Sequence, residues 1–172
     1  MKRISLTVTI LFLLTAAALA QTKNPVSSAL REMLPGRQKN VVGAMESMPA
    51  DKFSYKPSAD QMTFAHLAAH IADSNNLFCS GAAAVPAPKV DKAQDSDSKD
   101  KLVAAVKASF DFCSDALSKM DDSKLGDSTD FFGQQATRAR IALILASSWA
   151  DHYAEASMYL RLNGVLPPSA KK

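Results

Sequence analysis

The sequence lacks several patterns that would assign it to a common functional class. It contains no Cys-x-x-Cys-His motif, which excludes covalent attachment of a c-type haem. Its 20 basic and 17 acidic residues form no dense basic face, which argues against nucleic-acid binding. It also contains no clear strand pattern, no internal repeat and no sign of a second domain. These absences favour one helical domain.

The only long apolar run is at the N terminus and resembles a secretory signal peptide. Residues 2–3 are basic, residues 4–14 are apolar, and Ala-Leu-Ala at 18–20 is a small-x-small cleavage signal. We therefore predict a signal peptide over residues 1–20 and a single mature domain over residues 21–172. The mature protein is expected to be exported, to a periplasm or to the extracellular medium.

Two further expectations follow from this N terminus. No cysteine stands at the predicted cut and no second long apolar run follows, so we expect neither a lipid anchor there nor a membrane association after cleavage. Removal of Lys2 and Arg3 lowers the formal net charge from +3 to +1. The basic isoelectric point of the full chain therefore carries little information about partners.

The two cysteines, Cys79 and Cys113, would lie in an oxidising compartment if the protein is exported. A disulfide between them is then the leading interpretation, and two buried thiols are the alternative. In the loop-entropy model, closing a loop of this length stabilises a fold by about 3–4 kcal/mol.

Four segments have apolar residues at helical spacing, which predicts an all-α four-helix bundle of the up-and-down type. Pro35-Gly36 is expected to kink or break the first segment near Leu34, because proline removes a helical hydrogen bond. Ser98 is a predicted N-cap. Residues 82–97 are polar and proline-containing, which predicts a long surface loop between the second and third helices. The four segments are residues 25–48, 60–81, 99–119 and 135–162.

The last segment carries polar residues where a plain core helix would carry leucine or alanine. Ser148, His152 and Glu155 share a predicted apolar face with Ile144 and Leu145. Burying polar groups is unfavourable unless they find partners. We therefore expect another residue, a trapped water or a metal ion beside them.

Several motifs, in this order and spacing, resemble those of the DinB-like four-helix bundle superfamily. The resemblance covers nearly all of the mature chain, and it implies the same bundle fold. The motifs are MPADKFSYKP at 48–57, TFAHLAAHIAD at 63–73, His-Tyr at 152–153, Tyr-Leu-Arg at 159–161 and GVLPPS at 164–169.

The resemblance also implies a site for a divalent metal, zinc or nickel. Members of the superfamily are similar in having three metal-binding histidines. One lies on the second helix, which is His70 here, and two lie on the last helix. The second of these is His152, but the first falls at Ser148, which is not a usual ligand. His66 or Glu155 is then the expected third ligand, and Glu155 is also a candidate general base.

Two classes of function remain open. The first is a metal-dependent hydrolase or transferase of unknown substrate that uses His70 and His152. The second is a non-catalytic exported bundle, with a vestigial metal site, that binds a small molecule or a protein partner. Bundles of this kind often pair through an outer helix face, so a homodimer is a further expectation.

Overall fold

A computed structural model describes residues 23–171, so the predicted signal peptide lies outside the described residues. The predicted all-α four-helix bundle is confirmed. Within the described part of the chain, no helix has the length and apolar character needed to cross a membrane. The helices are α1 (Pro25–Ser47), α2 (Phe64–Ala83), α3 (Lys99–Ser118) and α4 (Arg138–Leu162), and short 3₁₀ turns lie at Ala50–Lys52, Asp122–Lys124 and Pro168–Ala170.

Three of the four helices begin at a hydroxyl cap. The side chains of Thr63, Ser98 and Thr137 each accept a hydrogen bond from the backbone N–H three residues later, at 3.0, 3.3 and 3.2 Å. Such caps satisfy amide groups that have no partner within the helix. The predicted cap at Ser98 is confirmed. The predicted starts of α2 and α4 were a few residues too early, because the true caps lie at Thr63 and Thr137.

The expected break in the first helix is absent. α1 continues through Pro35 without interruption. Both Pro35 and Gly36 are exposed, so the hydrogen bond that proline removes lies on the face that water can reach. The opposite face is buried on both sides of the proline, at Leu34 and Val41 for example, and this packing holds the two halves together.

The directions of the helices differ from simple up-and-down alternation. Near one end of the bundle, the Lys99 ammonium group at the start of α3 donates to the carbonyl oxygen of Met48 after α1, at 2.7 Å. Near the other end, the amide of Val26 donates to Asp122 at 2.6 Å. α1 and α3 are therefore antiparallel.

By contrast, α2 and α3 are parallel. Asn75 donates to Ser109 at 3.0 Å, and one turn further along both helices Cys79 is bonded to Cys113. Parallel neighbours cannot be joined by a tight turn, so the chain must return along the whole bundle between them. Residues 84–98 form this crossover loop, which explains the predicted long connection between the second and third helices.

α4 is antiparallel to α2, and this pairing positions the candidate site. The Tyr159 hydroxyl near the end of α4 donates to the carbonyl oxygen of Met62, just before α2, at 2.7 Å. At the other end, Gly81 admits Ile141 so closely that an added Cβ would lie 3.2 Å from its side chain. α1 packs against α3 and α4, as does α2, so α1 and α2 occupy opposite corners of the bundle.

The core contains one fully buried polar network. The side-chain oxygen of Asn75 accepts from the Trp149 indole N–H at 3.0 Å, and its amide group donates to Ser109 at 3.0 Å. All three residues are almost completely inaccessible to solvent. Because both the oxygen and the nitrogen of the Asn75 side chain are hydrogen-bonded, the network ties α2, α3 and α4 in one register.

The predicted disulfide between Cys79 and Cys113 is present. It joins the C-terminal turns of α2 and α3, with a Cα–Cα distance of 5.2 Å, and both residues are completely buried. This separation lies within the usual range for a disulfide.

A short β-hairpin precedes α4, although no strand was predicted from the sequence. β1 (Ser128–Phe131) pairs antiparallel with β2 (Gln134–Thr137). The two residues between the strands both have positive φ, 56° at Phe132 and 73° at Gly133, as tight hairpin turns require. The preceding Phe131 is buried against Phe78, with a centroid distance of 5.6 Å, and this contact anchors the hairpin on the bundle.

Candidate functional site

The antiparallel packing of α2 and α4 brings His70 and His152 together. Their ring centroids are 5.1 Å apart, and the ring planes meet edge to face at 83°. His152 is buried, with 8% of its surface exposed, whereas His70 is exposed. The pair therefore connects the interior of the bundle with solvent.

Each histidine also contacts a serine on its own helix. The Ser148 hydroxyl lies 3.3 Å from Nδ1 of His152, and the Ser74 hydroxyl lies 3.3 Å from Nε2 of His70. One ring nitrogen of each imidazole is thus engaged within its own helix. Ser74 was not predicted as a site residue, although it stands four residues from His70, the spacing that also separates Ser148 from His152.

The buried face of α4 is rotated relative to the predicted one. It is centred on Leu145, Trp149 and Ala156, which are all inaccessible to solvent. Ser148 and Glu155 therefore lie at the edge of the interface and are partly exposed. The expectation that both are core residues was wrong, because it left Trp149, the largest side chain of the face, out of the stripe.

His66 lies in a different environment from His70. Its side chain is exposed, and its Nδ1 lies 2.9 Å from a carboxylate oxygen of Asp95 in the crossover loop. This contact fastens the loop to the start of α2.

The donor atoms near the His pair fall short of the three-ligand set that the family resemblance implies. Among residues 23–171, no three or more histidine, cysteine, aspartate or glutamate side chains are grouped so that they could share a metal ion. Catalytic zinc sites commonly use three protein ligands and one water. His70 and His152 supply two imidazoles, and the side chain at the third position, Ser148, is a neutral hydroxyl. This donor set does not fit a catalytic zinc or nickel site.

The electrostatics of the site favour a neutral His152. Burial, reinforced by the neighbouring His70, lowers the pKa of His152 from its ordinary value of 6.5 to about 4, and nearby Asp151 opposes this only in part. Burial of an imidazole that has no hydrogen-bonded acidic partner disfavours its charged form.

This shift predicts a loss of stability in mild acid. Since the pKa of His152 is about 4 in the folded state and 6.5 ordinarily, the unfolded chain binds more protons between those values. The neutral His152 therefore stabilises the fold fully above pH 6.5, and this stabilisation, about 3 kcal/mol in total, is lost as the pH falls towards 4. Urea unfolding at several pH values should show this slope in the parent protein and a smaller one in His152→Gln. Equal slopes in the two proteins would contradict the prediction.

A pocket of about 400 Å³ opens beside the exposed histidine. His70 and Ser74 lie on its α2 wall, and three large apolar side chains lie around its mouth. These are Leu77, Val90 and Phe132, which are 40%, 64% and 73% exposed. Exposed apolar residues that cluster around a cavity are typical of a binding site.

Phe132 at this mouth also has a strained backbone. Its φ of 56° is unusual for a bulky residue, which a tight turn would ordinarily replace with glycine or asparagine. Such strain is often found at functional sites. The sequence signal for this residue was Phe-Phe-Gly at 131–133, which was not recognised as a hairpin turn.

A protein-family model covers the part of the chain that contains the histidine pair. The model of the DinB superfamily matches residues 33–156, which is well over half of the chain. The chain belongs to the DinB superfamily. The matched region of this DinB-superfamily protein includes both His70 and His152 and ends before the last turns of α4.

Solved structures support the DinB-type fold. A DinB-like protein from Bacillus subtilis superposes with a TM-score of 0.64 at 17% identity, covering 87% of this chain and 100% of that one. A DinB-like protein from Bacillus cereus gives a TM-score of 0.63 at 17% identity, covering 77% of this chain and 89% of the other. No curated protein matches the sequence. At these identities the likeness of this DinB-superfamily chain to the two structures concerns the fold alone.

Proposed function

We propose that this protein is an exported, non-catalytic DinB-superfamily bundle that binds a small molecule in the pocket beside His70. The observation that carries the proposal is the incomplete set of metal ligands. His70 and His152 approach each other, but Ser148 stands where a third imidazole would be needed. A pair of imidazoles that each contact a serine is better suited to hydrogen bonding than to holding a metal through a reaction cycle.

The pocket itself supports a binding role. Its volume of about 400 Å³ is within the range of small-molecule sites, and it combines apolar side chains at the mouth with a few polar groups inside. His70 presents an imidazole to a ligand, while Phe132 and Leu77 offer apolar surface for a flat or branched group. Binding at this pocket would remove exposed apolar surface from water.

Export is supported by two features. The N-terminal pattern is that of a signal peptide, and the buried disulfide between Cys79 and Cys113 is typical of proteins that fold outside the cytosol. A periplasmic or secreted location is therefore part of the proposal.

Metal analysis tests the non-catalytic part. Tag-free mature protein should contain far less than one equivalent of any first-row metal after purification. Zinc or nickel titrated at neutral pH should bind no more tightly to the parent than to His152→Ala. One retained equivalent of metal that is lost in His152→Ala would overturn the proposal.

Fragment titration tests the binding part. In two-dimensional NMR spectra, members of a library of aromatic fragments should shift resonances of His70, Leu77 and neighbouring residues. Phe132→Gly should weaken these interactions, and because glycine adopts positive φ without strain the variant should remain folded. A library in which no fragment perturbs the pocket would contradict a binding role for it.

A further inference from the structure

The pocket beside His70 is charged at one end and apolar at the other. His70, Asp73, Ser74 and Leu77 line it from α2, so the polar side chains come first along the helix and the apolar one follows. Residues 73 and 77 are four positions apart. They therefore lie on one face of α2, separated by about 6 Å along its axis.

Phe132 of the hairpin belongs to the apolar end. Its ring centroid lies 6.4 Å from that of Phe78, the residue that follows Leu77 on α2. Phe132 and Leu77 both line the pocket, and both side chains are exposed to water. A ligand that packs against them would remove this apolar surface from water.

The charged end carries one group of each sign. Lys92 of the crossover loop and Asp73 both line the pocket, and the ammonium nitrogen lies 3.7 Å from a carboxylate oxygen. Hydrogen bonds between such groups usually measure about 2.7–2.9 Å, so this contact leaves both groups able to bind a ligand. The two side chains are 79% and 42% exposed, and exposed ion pairs contribute little to stability. Opening the pair therefore costs little free energy.

A ligand with a single charge fits this end poorly. A carboxylate alone is attracted by Lys92 and repelled by Asp73, and an amine alone meets the reverse. A zwitterion is complementary to both groups. In an α-amino acid the ammonium and carboxylate groups are attached to one carbon, so both can face a pair of charges that lie this close together. The side chain leaves from the same carbon, and a leucine or phenylalanine side chain has about the reach of one helical turn.

From this arrangement we propose that the pocket beside His70 binds a free α-amino acid with a large apolar side chain. The ammonium group of the ligand faces Asp73 and its carboxylate faces Lys92. The side chain packs against Leu77 and Phe132. The inference rests on the proposed binding role of this pocket, and it names the class of ligand.

Phenylalanine and two analogues that each lack one charge are matched probes. All three share the phenylethyl group, but 3-phenylpropanoate has no ammonium group and 2-phenylethylamine has no carboxylate. Protein-observed NMR should show phenylalanine shifting the backbone amides of Asp73, Leu77 and Phe132, with a dissociation constant on the order of 1 mM. Each analogue should bind about tenfold more weakly, because it leaves one charge of the pair unmatched.

Two variants should each abolish one of these preferences. In Asp73→Asn, phenylalanine should lose its advantage over 3-phenylpropanoate. In Lys92→Gln, it should lose its advantage over 2-phenylethylamine. Lys89→Gln is the matched control, because Lys89 is an exposed lysine of the same loop that does not line the pocket. It should keep both preferences.

Equal affinity of the three probes for the parent would overturn the inference, and so would preferences that persist in Asp73→Asn and Lys92→Gln. In either case the probes would still shift the pocket resonances, so the proposed binding role would stand. If none of the three probes shifts Asp73, Leu77 or Phe132, the inference also falls. The library of aromatic fragments then tests the binding role separately, so the failure of one proposal is distinguishable from the failure of the other.

Discussion

Ser148→His is expected to convert the His70–His152 pair into a three-histidine zinc site, with an increase in zinc affinity of about 1,000-fold or more. Residues 148 and 152 are one turn apart on α4, and two histidines at this spacing share a helix face that can bind one metal. His70 already lies across the helix interface, with its ring 5.1 Å from that of His152. Three imidazoles then converge, and water can complete a tetrahedron.

The electrostatics assist this conversion. Since burial lowers the pKa of His152 to about 4, its imidazole is neutral at neutral pH, and no proton has to leave before the metal binds. The substitution also removes the Ser148 hydroxyl that contacts Nδ1 of His152. Ser148 lies partly exposed at the edge of the interface, so a larger side chain can be accommodated there.

Competition titrations with a zinc-sensitive dye at neutral pH measure the change, and visible absorption of the cobalt-substituted variant reports the geometry. Ser147→His is the matched control, because Ser147 is the adjacent exposed residue of the same helix and faces away from the pair. It should bind zinc no more tightly than the parent does. If Ser148→His and Ser147→His bind zinc equally, the pair is not arranged for a third ligand.

The sequence was sufficient to predict the elements that depend on local pattern. Amphipathic spacing predicted four helices, and the hydroxyl of Ser98 marked the start of α3, because caps and apolar periodicity are local properties. The disulfide between Cys79 and Cys113 could also be predicted, since the two cysteines lie on two predicted helices that follow each other in the chain.

The remaining features depend on tertiary context. A long loop is compatible with either direction of the next helix. The parallel packing of α2 and α3 could therefore be learned only from the structure. Pro35 does not break α1 because its solvent-facing position and the packing of Leu34 outweigh its intrinsic preference. The hairpin has strands of only four residues, which is too short for a clear alternation. Glu155 lies at the edge of the helix interface because Trp149 is buried, and the burial of Trp149 sets how α4 is rotated about its own axis.

Replacing both cysteines by alanine is expected to lower the free energy of unfolding by about 3–4 kcal/mol. The bond joins residues 34 positions apart, so its removal frees a long loop in the unfolded chain. That loop contains the end of α2, the whole crossover and most of α3. Apart from the crossover loop itself, the bond is the only covalent link between the two parallel helices among the described residues, which contain no other cysteine. The parallel packing of α2 and α3 should therefore loosen when it is lost.

Urea unfolding of the oxidised parent and of the Cys79→Ala/Cys113→Ala variant measures the difference. A reductant added to the unfolded parent should lower its free energy of unfolding nearly to that of the variant. The variant itself should not respond to the reductant. Because both cysteines are completely buried, the native bond should resist reduction until the helices separate. Protein made in a reducing cytosol should accordingly show the lower stability, and exported protein the higher one. Equal stability of the parent and the double variant, with the bond verified by mass spectrometry, would show that the bond does not hold α2 to α3.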